Sequence, residues 1–347
     1  MNILITGATG FIGKHLCVAL TQQGHHVMAL MRNPDKLRSL REFVQGSGGQ
    51  PERITVMQGD LEKPGLGLSS ALEGIDCIVH LAARFAWNLA PDEARRTNVT
   101  GSLHVAELAK QLDCRLIFIT GFMLANETHL AHLGINLSQP DQTRWQDVYR
   151  RTGAYEASKL ESAFALRHYT QEHGMDAVEI QPATVAGHNT TGEIDPTQPL
   201  FSLIDNVFHG RMALIPGSPA HWLPLIPVDT LALVIAAACG VEQPPLRLLV
   251  LDNKTPNLQG LLRTLTMTMG MKAPRWHLPI PVMQWLLKLP GLARVLNVYP
   301  EALDFIQSQS YNTLDFQRFL ASMRIPEPAF SEYIQTTAQY YRSLAPE

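Results

Sequence analysis

The chain has 347 residues, which is enough for one large domain or two joined domains with a substantial buried core. Hydrophobic residues make up 46% of it and charged residues 17%, a balance typical of a globular protein and not of a disordered one. The formal net charge of −3 provides no field that would gather nucleic acid, so we expect no nucleic-acid partner.

The four cysteines lie far apart and form no CxxC pair, which argues against a disulfide framework and fits a reducing compartment. The thirteen histidines show no metal-ligand spacing, so no metal is expected. The first residues lack the basic start and apolar run of a signal peptide, and the longest apolar stretch is too short to cross a bilayer. These features predict a soluble, cytoplasmic protein without a transmembrane segment.

Strand-like and helix-like segments alternate through the first half of the chain. The strand candidates are Asn2–Thr6, His26–Met31, Arg53–Met57, Asp76–Leu81, Arg115–Thr120 and Ala177–Gln181. The helix candidates are Phe11–Gln23, Asp35–Val44, Ala94–Leu112 and Ala154–His173. This alternation predicts βαβ units and an α/β fold of the Rossmann kind, a doubly wound parallel sheet with helices on both faces.

The pattern changes after about Gln181, where prolines become frequent and strands shorten. We therefore place a dinucleotide-binding domain at residues 1–181, which includes the helix that begins near Ala154. Residues 182–347 are expected to form a smaller, mostly helical substrate-binding region that is interleaved with the first domain.

Three further segments stand out from their composition. Gln45–Pro51 and Asn126–Arg151 are polar or glycine-rich, so we expect surface loops there, the second long enough to act as a lid or binding loop. The proline-bounded, apolar segment Pro279–Pro300 carries Lys288 and Arg294. It is either a helix that covers the substrate pocket, which we favour, or a helix that rests on a membrane surface.

A glycine-rich segment, Thr6–Gly13 (TGATGFIG), follows the first strand directly and opens the first helix. Gly7 permits a tight turn, Gly10 lets a pyrophosphate approach the backbone, and Gly13 lets the helix pack close to the strand. The free amides and the positive end of the helix dipole would face the phosphates. Because the motif lies inside a βαβ unit, it predicts a dinucleotide site. Its predicted cofactor-binding residues are Gly7, Thr9, Gly10, Phe11, Ile12 and Gly13.

The end of the second strand predicts which dinucleotide is bound. A fold that prefers NAD usually places an acidic residue there to accept a hydrogen bond from the ribose 2′-hydroxyl. This chain has Arg32 instead, followed by Lys36 and Arg38. A guanidinium can form paired hydrogen bonds with a 2′-phosphate and stack on adenine, so Arg32 and Lys36 favour NADP(H) over NAD(H). The alternative is a solvated basic start of a helix.

Tyr155 and Lys159 lie four residues apart in a helical segment, which places the phenol and the ammonium on one face, one turn apart. A YxxxK pattern alone is common. Here it follows the glycine-rich motif at a long distance and lies on the helix after the fifth strand, which makes a catalytic pair the favoured interpretation over an ordinary exposed helix face.

With these motifs the chain resembles the extended short-chain dehydrogenase/reductase family, which includes NAD-dependent epimerases and dehydratases, over nearly its whole length. The matching segments beyond TGATGFIG and the Tyr155–Lys159 pair are Gly59–Leu61 (GDL), His80–Ala83 (HLAA), Asn98 in NVTGS and Gln181–Gly187 (QPATVAG), in which Gln181 replaces an arginine. Arg32 before Asn-Pro most resembles the dihydroflavonol-reductase-like members. The resemblance implies further cofactor contacts at Asp60, Leu61, Leu81, Ala82, Ala83, Thr120, Tyr155, Lys159, Pro182 and Val185. It also implies a homodimer.

The resemblance implies hydride transfer, in which Tyr155 exchanges a proton with the substrate oxygen. A free phenol has a pKa of about 10, which is poorly matched to neutral pH. We expect Lys159 and the positive nicotinamide of the oxidised cofactor to lower the pKa of Tyr155 by direct charge interaction. Lys159 is also expected to bind the hydroxyls of the nicotinamide ribose.

The resemblance breaks at the end of the fifth strand, where the family places a serine or threonine that holds the substrate carbonyl. The aligned position is Gly121, and the neighbouring Thr120 should point to the other side of the sheet because side chains alternate along a strand. A bulge could turn Thr120 inward, which would make it the third catalytic residue. Alternatively, water beside Gly121 supplies the hydrogen bond, or the protein binds cofactor and catalyses little.

Candidate substrate contacts follow the strands or lie in the second region, and they are mostly apolar or aromatic. They are Phe85, Trp87, Phe122, Met123, His188, His221 and Trp222. This composition favours a small hydrophobic carbonyl or alcohol as the substrate.

Three functions are compatible with the sequence. The favoured one is an NADP(H)-dependent oxidoreductase that transfers a hydride between the nicotinamide and a hydrophobic ketone or secondary alcohol. The second is an epimerase or dehydratase that retains NAD, against which the basic Arg32 counts. The third is a nucleotide-binding scaffold without catalysis, for which Gly121 is the main support.

Overall fold

The computed structural model describes residues 1–68, 72–85, 89–287, 289 and 300–344. It divides the chain into two compact units, unit 1 (Met1–Gln181 and Ala232–Leu248) and unit 2 (Pro182–Leu231 and Leu249–Glu347). The first division falls where the sequence pattern changes. Residues 232–248 return to unit 1, so the two units alternate along the chain.

The return of the chain to unit 1 has a clear physical reason. The guanidinium of Arg115 donates hydrogen bonds to the carbonyl oxygens of Ala238, Cys239 and Val241, at 3.0, 3.3 and 2.7 Å. The strand that follows then adds to the edge of the large sheet. Neither contact leaves a local sequence signal, because the Arg115 contacts join residues more than 120 positions apart and β10 pairs with β6, more than 60 positions earlier in the chain.

In chain order the strands are β1 (Asn2–Thr6), β2 (His26–Met31), β3 (Ile54–Gln58), β4 (Cys77–His80), β5 (Arg115–Ile119), β6 (Ala177–Pro182), β7 (Thr184–Ala186), β8 (Leu214–Pro216), β9 (Leu225–Pro227), β10 (Arg247–Val250) and β11 (Trp276–Leu278). Seven of them form one parallel sheet in the order β10-β6-β5-β4-β1-β2-β3. The predicted doubly wound α/β fold is thereby confirmed. Strand order reverses between β1 and β4, and ligands of such sheets bind beyond the carboxyl ends of the strands at this point.

The helices are α1 (Phe11–Gln22), α2 (Lys36–Gly46), α3 (Pro91–Ala94), α4 (Gly101–Gln111), α5 (Glu127–Leu133), α6 (Trp145–Thr152), α7 (Ala154–Glu172), α8 (Pro199–Phe208), α9 (Val228–Gly240), α10 (Leu258–Met269), α11 (Ile280–Leu287), α12 (Leu314–Met323) and α13 (Phe330–Leu344). The predicted helix Ala94–Leu112 is composed of α3, a π-helical turn at Arg95–Thr100 and α4. The predicted long loop Asn126–Arg151 was wrong, because it contains α5 and most of α6.

The start and end of α5 show why that segment is helical. The Asn126 side chain caps the helix by accepting a hydrogen bond from the backbone N–H of His129, at 3.0 Å. Gly134 ends the helix in the left-handed conformation, with φ of 84°. Both are standard helix-end signals, so this error came from weighing the polar composition above the capping residues.

Unit 2 has its own core, in which α8, α10 and α13 pack together with β7 and β9. Tyr333 of α13 is fully buried, and its hydroxyl donates a hydrogen bond to Asp252 at 3.1 Å. A second small sheet in this unit pairs β8 with β11. Among the described residues, no helix is both long enough and apolar enough to span a bilayer.

Candidate active site

The glycine-rich turn after β1 is packed too closely for a side chain at two of its glycines. Gly7 has φ of +78°, and a Cβ there would lie 2.8 Å from the backbone nitrogen of Ala82. A Cβ on Gly13 would lie 2.1 Å from the carbonyl oxygen of Gly7. The helix α1 begins at Gly10 without a side-chain cap and has no acidic residue in its first turn. Its first amides are therefore available to an anion, which supports the predicted phosphate site.

The other predicted residues of this turn differ in exposure. Thr9 and Gly10 are exposed and Ile12 is half-buried, so their backbone can meet a ligand. The Phe11 ring is buried edge-on against His15, at a centroid distance of 5.4 Å. Phe11 can therefore contribute only its backbone N–H to the predicted site.

A chain of buried hydrogen bonds begins directly beneath this turn. Ser102 Oγ donates to the carbonyl oxygen of Asn98 at 2.6 Å, so it must accept from His80 Nε2 at 2.7 Å. His80 Nδ1 then accepts from the hydroxyl of Thr6 at 2.7 Å. Burial, reinforced by the charge of Lys159, lowers the pKa of His80 to about 3. The imidazole is therefore neutral, with its proton on Nε2.

The same chain continues to the helix that carries Tyr155. Asn98 Nδ2 donates to Ser158 Oγ at 2.9 Å and to the carbonyl of Arg84 at 3.2 Å, while its Oδ1 accepts from the backbone N–H of Arg84 at 2.7 Å. Ser158 Oγ donates to the carbonyl oxygen of Tyr155 at 2.8 Å. Asn98 is thus fully bonded and joins the segment after β4 to α7. His80 was named above only as part of the HLAA segment, and no role was predicted for Ser102 or Ser158.

Tyr155 and Lys159 lie one turn apart on α7, and both are half-buried. The Phe85 ring packs perpendicular to the Tyr155 ring at a centroid distance of 4.5 Å. The Lys159 ammonium donates a hydrogen bond to the carbonyl oxygen of Ile119, the last residue of β5, at 2.6 Å. The structure therefore brings the predicted pair and one predicted substrate contact together at the end of β5.

The pKa values at this pair differ from the expectation. Burial, with a smaller contribution from the neighbouring Glu156, raises the pKa of Tyr155 to about 12. Burial lowers the pKa of Lys159 to about 8, against an opposing effect of Glu179. The protein groups thus hold the phenol neutral, and the predicted lowering of the Tyr155 pKa by Lys159 does not occur within the chain itself. A neutral phenol is a proton donor.

Glu179 of β6 is buried at 1% exposure and organises the neighbouring strand end. Its carboxylate accepts two hydrogen bonds from Arg167, at 2.7 and 2.8 Å, and one from Gln181 at 3.0 Å. The Thr120 hydroxyl also donates to it, at 2.9 Å. A hydroxyl has a single proton, so this geometry contradicts the assignment of Thr120 as a catalytic donor to the substrate. A cofactor contact by the side chain of Thr120 is disfavoured for the same reason.

Gly121, at the position where the family has serine, has an extended backbone with φ of −172° and ψ of 155°. A Cβ built there meets no heavy atom within 4 Å, so a larger residue would fit without moving the chain. The next two residues are different. Phe122 and Met123 are buried, at 2% and 7% exposure, and their predicted contact with substrate stays a prediction.

The residues predicted to hold the adenosine end of the cofactor follow β2 and β3. Arg32 and Lys36 are exposed, and the guanidinium of Arg32 has no hydrogen-bond or ion-pair partner within the described part of the chain. Asp60 is half-buried and accepts from the backbone N–H of Glu62 at 3.1 Å. The carbonyl of Leu61 accepts from His104 Nδ1 at 2.8 Å.

Leu81, Ala82 and Ala83 follow β4 in unit 1 and are half-buried, as cofactor contacts there require. Pro182 and Val185 belong to unit 2 and are buried, so these two stay predictions.

The remaining substrate candidates of unit 2 have defined hydrogen bonds. His188 Nδ1 accepts from the backbone N–H of Thr190 at 3.2 Å and lies 3.8 Å from a carboxylate oxygen of Asp229. The Trp222 indole donates to the carbonyl of Gln309 at 2.9 Å. Their predicted contact with substrate stays a prediction. Trp87, Lys288 and Arg294 lie outside the described residues.

Comparison with known proteins places these observations in a family. A family model described as "Male sterility protein" matches residues 5–235. The chain is 26% identical over 230 residues to dihydroflavonol 4-reductase from Hordeum vulgare, an alignment that covers 63% of this chain and 60% of that protein. The alignment thus spans about three fifths of the length of that relative.

Two solved structures share the fold. The terminal R domain from the myxalamid PKS-NRPS biosynthetic pathway superposes with a TM-score of 0.77 at 20% identity, covering 99% of this chain and 91% of that one. The UDP-N-acetylglucosamine 4-epimerase from Methanobrevibacter ruminantium M1, in complex with UDP-N-acetylmuramic acid, gives a TM-score of 0.65 at 18% identity, covering 99% of both chains. At these identities the likeness concerns the fold alone.

Proposed function

Because the chain belongs to the extended short-chain dehydrogenase/reductase family, within the group described as male sterility proteins, we propose that it is an NADP(H)-dependent oxidoreductase. It transfers a hydride between the nicotinamide and a hydrophobic ketone or secondary alcohol. The observation that carries the proposal is the hydrogen-bond chain from Thr6 to Ser158, which ties the phosphate turn to the helix of Tyr155 and Lys159.

The residues present fit a dinucleotide. A Cβ would fill the turn at Gly7 or Gly13, and the amides at the start of α1 have no side-chain cap, as a site for pyrophosphate requires. Gly10 and Ile12 would hold the phosphates through the backbone. Arg32, which is exposed at the end of β2 and has no partner among the described residues, favours the 2′-phosphate of NADP(H).

When bound, the nicotinamide would supply or accept the hydride. In the reducing direction the substrate oxygen must gain a proton, and Tyr155 is the donor because burial keeps its phenol protonated. The Lys159 ammonium is fixed by the Ile119 carbonyl beside the strand end, where it can bind ribose hydroxyls and stabilise the phenolate that remains. Phe85 packs on the Tyr155 ring and makes the surroundings of the phenol apolar.

The second function that the sequence left open is an NAD-retaining epimerase, and the Tyr155–Lys159 pair would serve either reaction. The residue that separates the two proposals is Arg32, because an enzyme that retains NAD gains nothing from a guanidinium beside the ribose 2′-position.

The test is a side-by-side titration of the purified protein with NADPH and NADH, after release of any copurified nucleotide. We expect Arg32→Ala to weaken NADPH binding about ten- to a hundredfold, which corresponds to the loss of a charged hydrogen bond of roughly 1.5–3 kcal/mol. Binding of NADH should change little. Lys110→Ala, an exposed lysine on α4, is the matched control and should change neither affinity.

The other possible outcomes of the titration would contradict this proposal. Equal losses for both cofactors would remove Arg32 from its proposed role. Copurified NAD that resists release would favour the epimerase, and no binding of either nucleotide would favour a scaffold.

A further inference from the structure

The charges of unit 2 are unevenly distributed along the chain. Residues 253–289 contain no aspartate or glutamate, although the whole chain has 31 acidic residues and 28 lysines and arginines. Lys254, Arg263, Lys272, Arg275 and Lys288 all fall in this stretch. A segment with cations alone, within a protein whose net charge is −3, has an electrostatic character opposite to the rest of the molecule.

Three of these cations line one cleft. Arg263 of α10 and Lys272 and Arg275 of the following loop border a cleft of about 540 Å³, together with Gln259, Ala273 and Pro274. The three cations are exposed, and within the described part of the chain they have no hydrogen-bond or ion-pair partner for their side chains. Like charges held together without a counterion repel one another, so the arrangement favours an anionic partner.

Large apolar side chains are exposed in the same stretch. Met267 lies one turn from Arg263 on the outer face of α10 and is 74% exposed. Trp276 of β11, next to Arg275, is 76% exposed and pairs in register with the exposed Leu214. Isolated apolar residues on a surface are ordinary, but two tryptophans and several aliphatic residues within one stretch are not.

The helix α11 continues this surface. Val282 and Trp285 are spaced three residues apart, which places them on one face of the helix, and both are exposed, Trp285 at 63%. Leu289, beyond the end of the helix, is also exposed. Leu287 is buried. Asp304 accepts a hydrogen bond from Gln284 of this helix at 3.2 Å. The apolar side chains of Val282 and Trp285 are thus left exposed in the described part of the chain.

We propose that Arg263, Met267, Lys272, Arg275, Trp276 and Trp285 form a docking surface for an anionic lipid bilayer. We call this set the basic apolar surface. Arginine and lysine attract the negative headgroups, while tryptophan and methionine enter the boundary between headgroups and acyl chains. A protein partner would be expected to bring acidic side chains into an apolar interface, whereas a bilayer offers dispersed negative charge beside hydrocarbon. The surface has both properties side by side.

The experiment is flotation of the full chain with two kinds of vesicle, phosphatidylcholine alone and equimolar phosphatidylcholine and phosphatidylglycerol. We expect binding to the anionic vesicles, weak binding to the neutral ones, and release at high salt because ions screen the headgroup charge. Lys272→Gln and Arg275→Gln should each lower the partition coefficient about fivefold. Tryptophan emission should shift to the blue on binding, and Trp285→Gln should reduce that shift.

Two control variants remove an exposed cation or an exposed apolar side chain from unit 1, outside the proposed surface. Lys110→Gln removes an exposed cation from unit 1, and Leu246→Gln removes an apolar side chain that is 80% exposed there. Both should bind vesicles as the unchanged protein does. Equal binding to neutral and anionic vesicles, or no effect of the two cation variants, would overturn the proposal. The proposal would also be overturned if the protein did not bind vesicles and Trp285→Gln had a smaller molecular mass than the unchanged protein in size-exclusion chromatography. That result would assign the surface to contact with a second copy of the chain.

Discussion

Charged side chains differ in burial and in pairing between two parts of this molecule. In unit 1 the carboxylate of Glu179 is almost fully buried and accepts hydrogen bonds from Arg167, Thr120 and Gln181. In the basic apolar surface of unit 2, Lys272 and Arg275 are exposed and have no side-chain partner among the residues that the structure describes. A buried charge must be compensated by hydrogen bonds and opposite charge, whereas an exposed charge is hydrated and can bind a partner from outside.

This difference indicates which part of the molecule holds its side chains in fixed positions. Every donor and acceptor along the chain from Thr6 through His80 and Asn98 to Ser158 has a partner, so the phosphate turn and the helix of Tyr155 hold one position. The basic apolar surface has no such network, and none is needed, because a bilayer imposes no single register on what binds to it.

The largest effect that follows from this comparison is on turnover. Tyr155→Phe removes the proton donor at the fixed end of the network, and we expect the rate of carbonyl reduction to fall about 10²–10⁴-fold. The measurement is single-turnover oxidation of NADPH with a panel of apolar ketones. Tyr169→Phe, which removes a phenol from the same helix, should react as the unchanged protein does. Equal rates for the protein and Tyr155→Phe would exclude the proposed role of Tyr155.

The next prediction compares the loss of stability when Arg167, which is paired with Glu179, or the exposed Arg275 is replaced. Arg167→Ala leaves Glu179 buried without its main partner and should lower the free energy of unfolding by about 3–5 kcal/mol. Arg275→Ala, at the exposed surface, should change it by less than about 0.5 kcal/mol. Urea unfolding of both variants tests this. Similar losses in the two variants would show that pairing does not distinguish the two regions.

The effect that is smallest for a change of one pH unit is the dependence of stability on pH. The pKa of His80 is about 3 in the folded protein and about 6.5 when unfolded, so the unfolded chain binds a proton that the folded one does not. The free energy of unfolding should therefore fall by about 1.4 kcal/mol per unit as pH drops from about 6.5 towards 3. This contribution is fully present above pH 6.5.

A variant isolates this contribution from that of the carboxylates. His80→Gln should show a shallower slope across the same pH range, and His132→Gln, which replaces an exposed histidine, should keep the original slope. If His80→Gln keeps the slope as well, the imidazole is not held neutral in the folded protein.

Much of the fold was predictable from local pattern. The bounds of β1 and β2 were predicted as observed, because buried parallel strands are short apolar runs that end at glycine or polar residues. The boundaries of α3 and α4 were not, since a π-helical turn that packs against α7 lies between them. The helix α5 was missed although Asn126 and Gly134 mark its ends.

The residues of the candidate site also divide into those that local sequence pattern identified and those that depend on distant contacts. Gly7, Gly13, Tyr155 and Lys159 were identifiable because the spacing of a turn or a helix fixes what they can do. Thr120 was assigned wrongly, since the partner that takes its proton, Glu179, lies on another strand. The burial of Phe122 and Met123 likewise depends on distant residues.

The sequence by itself determined the alternation of strands and helices, the phosphate turn, the basic end of β2 and the family, because each depends on residues close together in the chain. Only the tertiary structure decided the neutral state of His80, the raised pKa of Tyr155, the pairing of Glu179 and the exposure of Trp276. These properties depend on burial and on contacts between residues far apart in sequence, and desolvation is a property of the packed chain that no local pattern records.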